Sequence, residues 1–375
     1  MRTSIPLVRL MGVPIRLNLS WFITFGFVIL LLSSQVYPEW LPGASAPVHW
    51  LLGVASGLLF FACILLHELA HSLVARAYGI PVKGITLFVF GGVAQISKEA
   101  GRPLVEFLMA LAGPAMSMAL AAVFLGTGLL IGLGGEKPFT VMWEWLLLMN
   151  LGVALFNMAP GFPLDGGRVL RSVLWGVIGD YRRATFFASW CGRIMAYALI
   201  FVGLISIFRA GWLSPGAGLW FMFLGIFLEG AARQSWQQTQ VLDFLRNHKA
   251  ANIMSRDITS VPPWLSLDEA VQRHGENLAS MCLFVTENER VLGILCQEQL
   301  RRVPRERWQE VTVRAAMKPA QEVVTVDRWA DCAAMVQLIE AEEQRHLPVV
   351  EQGRLVAVVS REAILRLLLA KRALR

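Results

Sequence analysis

The chain has 375 residues, of which 55% are hydrophobic and 16% are charged, with a mean hydropathy of +0.54 and a formal net charge of +7. A soluble globular protein carries about 25% charged residues, so much of this chain requires an apolar environment. This composition excludes a disordered chain, a coiled coil and a collagen.

The charged residues divide the chain near position 241. Residues 1–240 contain 15 Lys and Arg residues and 9 Asp and Glu residues. Residues 241–375 contain 19 Lys and Arg residues and 18 Asp and Glu residues. The division predicts a membrane domain over 1–240 and a soluble domain over 241–375. The cations of the membrane half flank hydrophobic runs and form no basic face, so we expect no nucleic-acid partner.

Six apolar windows predict six spans, since about 20 apolar residues cross a bilayer. The windows cover residues 17–38, 40–67, 107–135, 145–164, 184–208 and 210–228. Arginines precede the first window and no cleavage pattern follows it, so we expect a retained anchor rather than a signal peptide. Lys and Arg cluster in the connections on one side, which predicts a cell-membrane protein with both termini and the soluble half in the cytoplasm.

The segment 85–96, between the second and third windows, is too short to span. It is rich in β-branched and aromatic residues and is broken by Gly91 and Gly92. This pattern favours a hairpin or re-entrant pair of strands. A plain connecting loop is the alternative.

The sequence His67-Glu68-Leu69-Ala70-His71 lies near the cytoplasmic end of the second expected span. Residues i and i+4 share one face of a helix, so both imidazoles can bind one metal while Glu68 reaches a water beside it. Ionisable side chains at membrane depth are costly and usually functional. The alternative is that these three side chains snorkel to the interface.

A third metal ligand has to come from elsewhere in the chain. No further histidine of the membrane half suits: Ala77 stands where the extended HExxH motif of metzincins has its third histidine, and His49 lies at the other end of the span. Asp165 is favoured because prolines and glycines interrupt the chain at 157–168, and broken helix at membrane depth is tolerated where it lines a cavity. A helix-ending turn at the surface is the alternative. The candidate carboxylates of the membrane half are Glu99, Glu106, Glu144, Asp165, Asp180 and Glu229.

Four motifs together resemble the site-2 protease family of intramembrane zinc metalloproteases. They are His67–His71, Phe90–Val93, Ala112–Pro114 and the segment 157–168. The resemblance covers about residues 1–230. It implies a multi-pass α-helical membrane protein that hydrolyses peptide bonds in or near transmembrane segments of other membrane proteins, within the lipid bilayer.

The same resemblance implies the residue roles. His67, His71 and Asp165 would hold one Zn²⁺ per chain, and Glu68 would activate water. Substrate backbone would be positioned by Asn157 and by the strands around Gly91 and Gly92.

The soluble half contains an internal repeat at an offset of 63 to 64 residues. The segment 251–255 matches 314–318, and 291–295 matches 355–359. Each copy predicts a short strand, an amphipathic helix, a strand pair and a closing helix. This order resembles an α/β tandem pair of cystathionine-β-synthase (CBS) domains, over about 245–308 and 309–375.

CBS domains often bind adenine nucleotides and pair as dimers, so the resemblance implies modulation of the membrane domain, with a homodimer as a possible assembly. CBS domains usually have a Ser or Thr followed three residues later by an Asp that binds the ribose. These two positions hold Cys296 and Gln299 in the first copy, and Ser360 and Ala363 in the second. A ribose contact is therefore missing from each copy, and nucleotide binding stays open. A pair that only dimerises the enzyme or recruits partners is the alternative.

Two other classes of protein fit part of the pattern. A CBS-regulated transporter or channel would distribute polar residues over several spans, whereas here they concentrate at one site. A non-proteolytic membrane scaffold would be expected to carry a damaged HExxH motif, and this motif is intact. The five cysteines show no CxxC spacing, so we expect free thiols in a reducing compartment.

Overall fold

The computed structural model describes residues 4–89, 91–96, 100–135, 137–208, 215–256, 259–280, 282–287, 290–341, 344, 346–351 and 354–373. It divides into two compact units, Met1–Gln237 and Gln238–Arg375.

The first unit is mainly helical. Its helices are α1 (Ser20–Leu31), which continues through a π-helical turn (Leu32–Val36) into α2 (Tyr37–Trp40), α3 (Ala46–Ala77), α4 (Pro103–Ile131), α5 (Pro138–Asn157), α6 (Asp165–Ile178) and α7 (Tyr181–Phe208). A further helix, α8 (Pro215–Asn247), begins in the first unit and ends in the second. Within the described ranges, five helical segments are long and apolar enough to cross a membrane. These segments are Ser20–Trp40, Ala46–Ala77, Pro103–Ile131, Pro138–Asn157 and Tyr181–Phe208.

The sixth expected span is not among these five. The first residues of its window, 210–214, lie outside the part of the chain that the structure describes, and the remainder belongs to α8. The fourth expected span lies earlier in the chain than its window, because α5 (Pro138–Asn157) ends at Asn157 and the chain is irregular until α6 begins at Asp165. Proline and glycine in this stretch account for the break.

Four strands form one sheet in the first unit, in the order β1 (Ser4–Leu10), β2 (Val13–Asn18), β3 (Val82–Phe88) and β4 (Gly91–Ile96). The antiparallel pairing of β3 with β4 confirms the expected hairpin, although Phe90, which lies between the two strands in the sequence, is outside the described residues. The hairpin is not isolated, because β2 runs parallel to β3. The sequence did not predict the two N-terminal strands.

A buried ion pair joins α6 to α4. Arg171 donates from Nε to Oε1 of Glu106 at 2.8 Å, and its guanidinium carbon lies 4.8 Å from the Phe162 ring centre and 4.7 Å from that of Tyr181. Glu106 is 1% exposed. A buried charge is tolerated when it is paired in this way. The pair fixes the orientation of α6, the helix that begins at Asp165.

The second unit contains α9 (Ala250–Ile253), β5 (Ser260–Val261), α10 (Leu267–Ser280), β6 (Leu283–Glu287), β7 (Arg290–Leu295), α11 (Gln297–Arg301), α12 (Val313–Ala316), β8 (Lys318–Pro319), β9 (Val326–Asp327), α13 (Cys332–Ala341), β10 (His346–Glu351), β11 (Arg354–Ser360) and α14 (Arg361–Ala373). In the first repeat β6 is parallel to β5 and antiparallel to β7. In the second repeat β10 is parallel to β9 and antiparallel to β11. The repeated α/β order is the one that the sequence predicts.

One expectation about the cysteines is wrong. Cys282 and Cys296 are joined by a disulfide, whereas Cys63, Cys191 and Cys332 are free thiols. The reason is strand register: Leu283 pairs with Leu295, so the next residues outward, Cys282 and Cys296, stand opposite each other. Their spacing along the chain carries no signal of this contact until the register is known.

Candidate metal centre

Helix α3 presents both histidines of the motif on one face. His67 and His71 are each 4% exposed and lie one helical turn apart. Their Nε2 atoms are 3.3 Å apart. The i, i+4 spacing therefore brings the two imidazoles together as the sequence predicts.

Asp165 reaches the same point from another helix. It is the first residue of α6, directly after the irregular segment that follows α5. Its Oδ2 atom is 3.2 Å from Nε2 of His67 and 3.2 Å from Nε2 of His71. Two nitrogen donors and one carboxylate oxygen thus converge on one small volume.

This arrangement fits a zinc ion. Nitrogen and oxygen ligands lie about 2.0–2.2 Å from zinc, and at tetrahedral angles such ligands are about 3.3 Å apart. The three observed separations, 3.2, 3.2 and 3.3 Å, match that spacing. Three protein donors also leave a fourth tetrahedral position open, as in catalytic zinc sites.

The outer nitrogen of each imidazole has its own partner on α4. Nδ1 of His71 donates to the carbonyl oxygen of Met109 at 2.6 Å, and Nδ1 of His67 lies 2.8 Å from the Ser117 hydroxyl. A carbonyl accepts only, so in the neutral ring of His71 the proton is on Nδ1 and the Nε2 lone pair points towards Asp165. Such partners fix the tautomer and ring orientation of metal-binding histidines.

Replacing Ser117 with Ala should weaken metal binding about 10–100-fold, the usual effect of losing an outer partner of a ligand histidine. Zinc titration of the purified protein measures this. The matched control is Ser206→Ala, since Ser206 is also buried but donates to Val202 of its own helix. Equal losses in both variants would show that Ser117 has no special role.

Helix α4 approaches the histidines closely at Gly113. A Cβ atom at this position would overlap the Nε2 atoms of both His67 and His71. The absence of a side chain therefore leaves the space in which the three donors meet. In the sequence, Ala112-Gly113-Pro114 is one of the four motifs of the family resemblance, but the pattern alone does not indicate what Gly113 does.

Gly113→Ala should abolish zinc binding, because the added methyl group occupies the volume between the donor atoms. Metal content after dialysis measures the effect. Gly126→Ala is the control in the same helix, because a Cβ atom there meets nothing within 4 Å. Normal zinc content in Gly113→Ala would contradict the placement of the ion.

Glu68 lies against strand β4. The Ala94 backbone amide donates to its carboxylate, and a Cβ atom on Gly92 would overlap its Cγ atom. Gly92 thus allows the strand to approach Glu68. Gly91 begins β4 with a φ of +113°, a conformation that favours glycine.

Asn157 is the last residue of α5, and its amide donates to the carbonyl oxygen of Val153 in the same helix at 3.0 Å. The remaining carboxylates that the sequence offered as ligands have other positions. Glu99 lies outside the described residues, and the others contact the Arg171 side chain (Glu106), the Gly134 amide (Glu144), the Arg182 and Arg183 amides (Asp180) and the Arg193 side chain (Glu229).

Helices long enough to cross a membrane, with two histidines and an aspartate converging between them, define a multi-pass membrane protein with a candidate metal centre. The family model "Peptidase family M50" matches residues 56–138 and 135–202, and the model "CBS domain" matches residues 313–370. The chain belongs to peptidase family M50, the site-2 protease family, and carries a CBS domain. These matches confirm the family resemblance found in the sequence.

Relatives cover the whole length of the chain. "Putative zinc metalloprotease sll0528" of Synechocystis sp. is 32% identical over 375 residues, which is 98% of this chain and 96% of the relative. "Putative zinc metalloprotease Rip3" of Mycobacterium tuberculosis is 33% identical over 379 residues, which is 98% of this chain and 93% of the relative. Among solved structures, a site-2 protease from Methanocaldococcus jannaschii is 27% identical with a TM-score of 0.43, covering 62% of this chain and 95% of that chain.

Proposed function

We propose that the protein is an intramembrane zinc endopeptidase that cleaves other membrane proteins in or near their transmembrane segments. The observation that supports this most strongly is the convergence of His67, His71 and Asp165 at separations that suit one zinc ion. Membership of a peptidase family and the metalloprotease names of the relatives support the same class of reaction.

In this proposal His67, His71 and Asp165 hold one Zn²⁺ per chain, and Glu68 is the catalytic base. The ion supplies a Lewis acid that acidifies water and polarises the scissile carbonyl. Glu68 takes the proton from the attacking water and passes it to the leaving amine. The contact between Glu68 and the Ala94 amide holds the carboxylate beside β4, where this proton transfer has to occur.

The edge of the sheet is the proposed substrate-binding element. Strand β4 is one of the two terminal strands in the order β1-β2-β3-β4 of the described residues, and Gly92 of this strand packs on Glu68. A substrate strand that adds to this edge would run past the base. A helical peptide bond is protected by its own hydrogen bonds, so the substrate span has to unwind first. Gly91, Gly92 and Asn157 are the proposed substrate-positioning residues.

The distribution of Lys and Arg supports a position in the cell membrane with both termini and residues 241–375 in the cytoplasm. Water then reaches the site from the cytoplasmic side. The CBS domains, about 245–308 and 309–375, are proposed to modulate cleavage and to pair two chains. In place of the ribose-binding carboxylate of the first copy, the Gln299 side chain accepts from the Cys296 amide at 3.1 Å, and titration with adenine nucleotides tests whether this copy binds them.

The experiment compares membrane-protein fragments in cells that express the wild-type chain, Glu68→Gln or Glu144→Gln. Glu144 is a second carboxylate of the membrane half, and glutamine retains the oxygen that accepts from the Gly134 amide. At least one membrane protein should accumulate uncut with Glu68→Gln and be processed normally with Glu144→Gln. If no protein accumulates, a transporter or a scaffold becomes the better interpretation.

A further inference from the structure

A second group of reactive side chains lies in the second unit. Cys282 precedes β6 and Cys296 follows β7, so the two residues face each other where this hairpin begins and ends. Their Cα atoms are 4.4 Å apart and their sulfur atoms are bonded. Nδ1 of His346 lies 3.2 Å from Sγ of Cys282.

The imidazole comes from the other repeat. At an offset of 64 residues Cys282 corresponds to His346, and Cys296 corresponds to Ser360. His346 and Ser360 are paired across β10 and β11, as Cys282 and Cys296 are across the ends of β6 and β7. The group therefore lies where equivalent strand ends of the two repeats meet. A single hairpin would not provide it.

The two sulfur atoms differ in accessibility and in their partners. Cys282 is 4% exposed and contacts His346, whereas Cys296 is partly exposed. Cys332, the other cysteine of this unit, is fully buried, and burial raises the pKa of its thiol to about 11. It therefore stays protonated and unreactive at neutral pH. A dissolved thiol has access to Cys296 first.

In a reducing compartment a persistent disulfide is unusual, and disulfides found there are mostly transient, catalytic or redox-sensing. We propose that Cys282 and Cys296 form a reversible dithiol–disulfide couple that exchanges with glutathione-type thiols, with His346 stabilising the Cys282 thiolate. The cytoplasmic setting rests on the topology proposed above, whereas the exchange chemistry rests on the three side chains alone.

Reduction takes two exchange steps. The thiolate of one glutathione attacks Sγ of Cys296, the Cys282–Cys296 bond breaks, and Cys282 leaves as a thiolate that accepts a hydrogen bond from the His346 imidazole. A second glutathione thiolate attacks the glutathione sulfur of the mixed disulfide and releases Cys296. The cysteines gain two electrons and the two glutathione molecules lose two. Of the two thiol protons, one ends on Cys296 and the other is released to solvent, because Cys282 stays a thiolate beside His346. Oxidised glutathione drives the same steps in reverse.

The test equilibrates the full-length protein with mixtures of reduced and oxidised glutathione, alkylates the free thiols and identifies them by peptide mass spectrometry. Cys282 and Cys296 should change together from alkylated to disulfide-bonded as the proportion of oxidised glutathione rises. Cys282→Ser should trap Cys296 as a mixed disulfide with glutathione. Cys296→Ser should leave Cys282 largely unmodified, and Cys332→Ser should titrate like the wild type.

His346→Gln tests the positioning role of the imidazole. Reduction should slow on the order of tenfold, because the leaving thiolate loses its stabilising partner, while the same two cysteines still pair. The midpoint of the glutathione titration should also shift towards the disulfide, because the reduced pair loses the hydrogen-bond donor that stabilises the Cys282 thiolate.

Three results would overturn the proposal. In the first, Cys282 and Cys296 remain free thiols, and are therefore both alkylated, even after equilibration with excess oxidised glutathione. In the second, the disulfide resists millimolar reduced glutathione, which would make it a purely structural bond. In the third, added Zn²⁺ protects the reduced thiols from alkylation stoichiometrically, which would make Cys282, Cys296 and His346 a cation site. None of these readouts depends on proteolysis, so failure here leaves the proposed function untouched.

Discussion

Glu68→Gln should lower the cleavage rate of a transmembrane substrate on the order of 10²–10⁴-fold, the usual contribution of a positioned general base. The amide has nearly the shape of the carboxylate but cannot take a proton. Zinc content should stay at one ion per chain, because the atoms that converge on the ion belong to His67, His71 and Asp165. Purified protein in detergent or proteoliposomes, assayed for cleavage and for metal, gives both values.

Glu144→Gln is the control for this variant, as it makes the same chemical change in α5 and keeps its acceptor for the Gly134 amide. Its rate should equal that of the wild type. Wild-type cleavage by Glu68→Gln would exclude Glu68 as the base. Loss of zinc from Glu68→Gln would instead point to a role in holding the ion.

Asp165→Asn should release the metal and, with it, the activity. The amide has no charge and is a weak ligand, so the ion would keep only the two imidazoles. We expect zinc affinity to fall further than it does when an outer partner of a ligand is removed, which lowers it about 10–100-fold. Competition with a chelator of known affinity measures the change, and cleavage should recover in part when excess zinc is added.

Asp180→Asn is the matched control, because Asp180 also stands at the beginning of a helix. Its Oδ1 atom accepts from the amides of Arg182 and Arg183, and asparagine caps a helix about as well as aspartate. Zinc affinity should not change. If Asp165→Asn retained zinc as tightly as Asp180→Asn, another residue would have to be the third ligand.

Periodicity explains what the sequence predicted correctly. The i, i+4 spacing of His67 and His71 on an apolar helix determines their contact, since both lie on one face of α3. The break between α5 and α6 is marked by proline and glycine, which is why Asp165 could be selected among the carboxylates. In residues 241–375 the offset of 64 residues reveals the repeat because both copies use the same order of strands and helices.

Contacts between distant segments explain what the sequence did not predict. Ser117 and the Met109 carbonyl orient the histidines from α4, 50 and 38 positions away, and a single serine in an apolar helix carries no periodic signal. The Cys282–Cys296 bond depends on the register of β6 and β7. Strand β1 lacks regular alternation, because Ile5, Leu7 and Val8 are all exposed. These features become visible only once the helices and strands are packed.

X-ray absorption at the zinc edge of the full-length protein tests the central claim most directly. The account predicts one zinc with two imidazole nitrogens and carboxylate or water oxygens at about 2.0–2.2 Å. In Asp165→Asn the signal of the bound ion should be lost. A zinc coordinated mainly by sulfur, or an unchanged spectrum in Asp165→Asn, would contradict a metal centre formed by His67, His71 and Asp165.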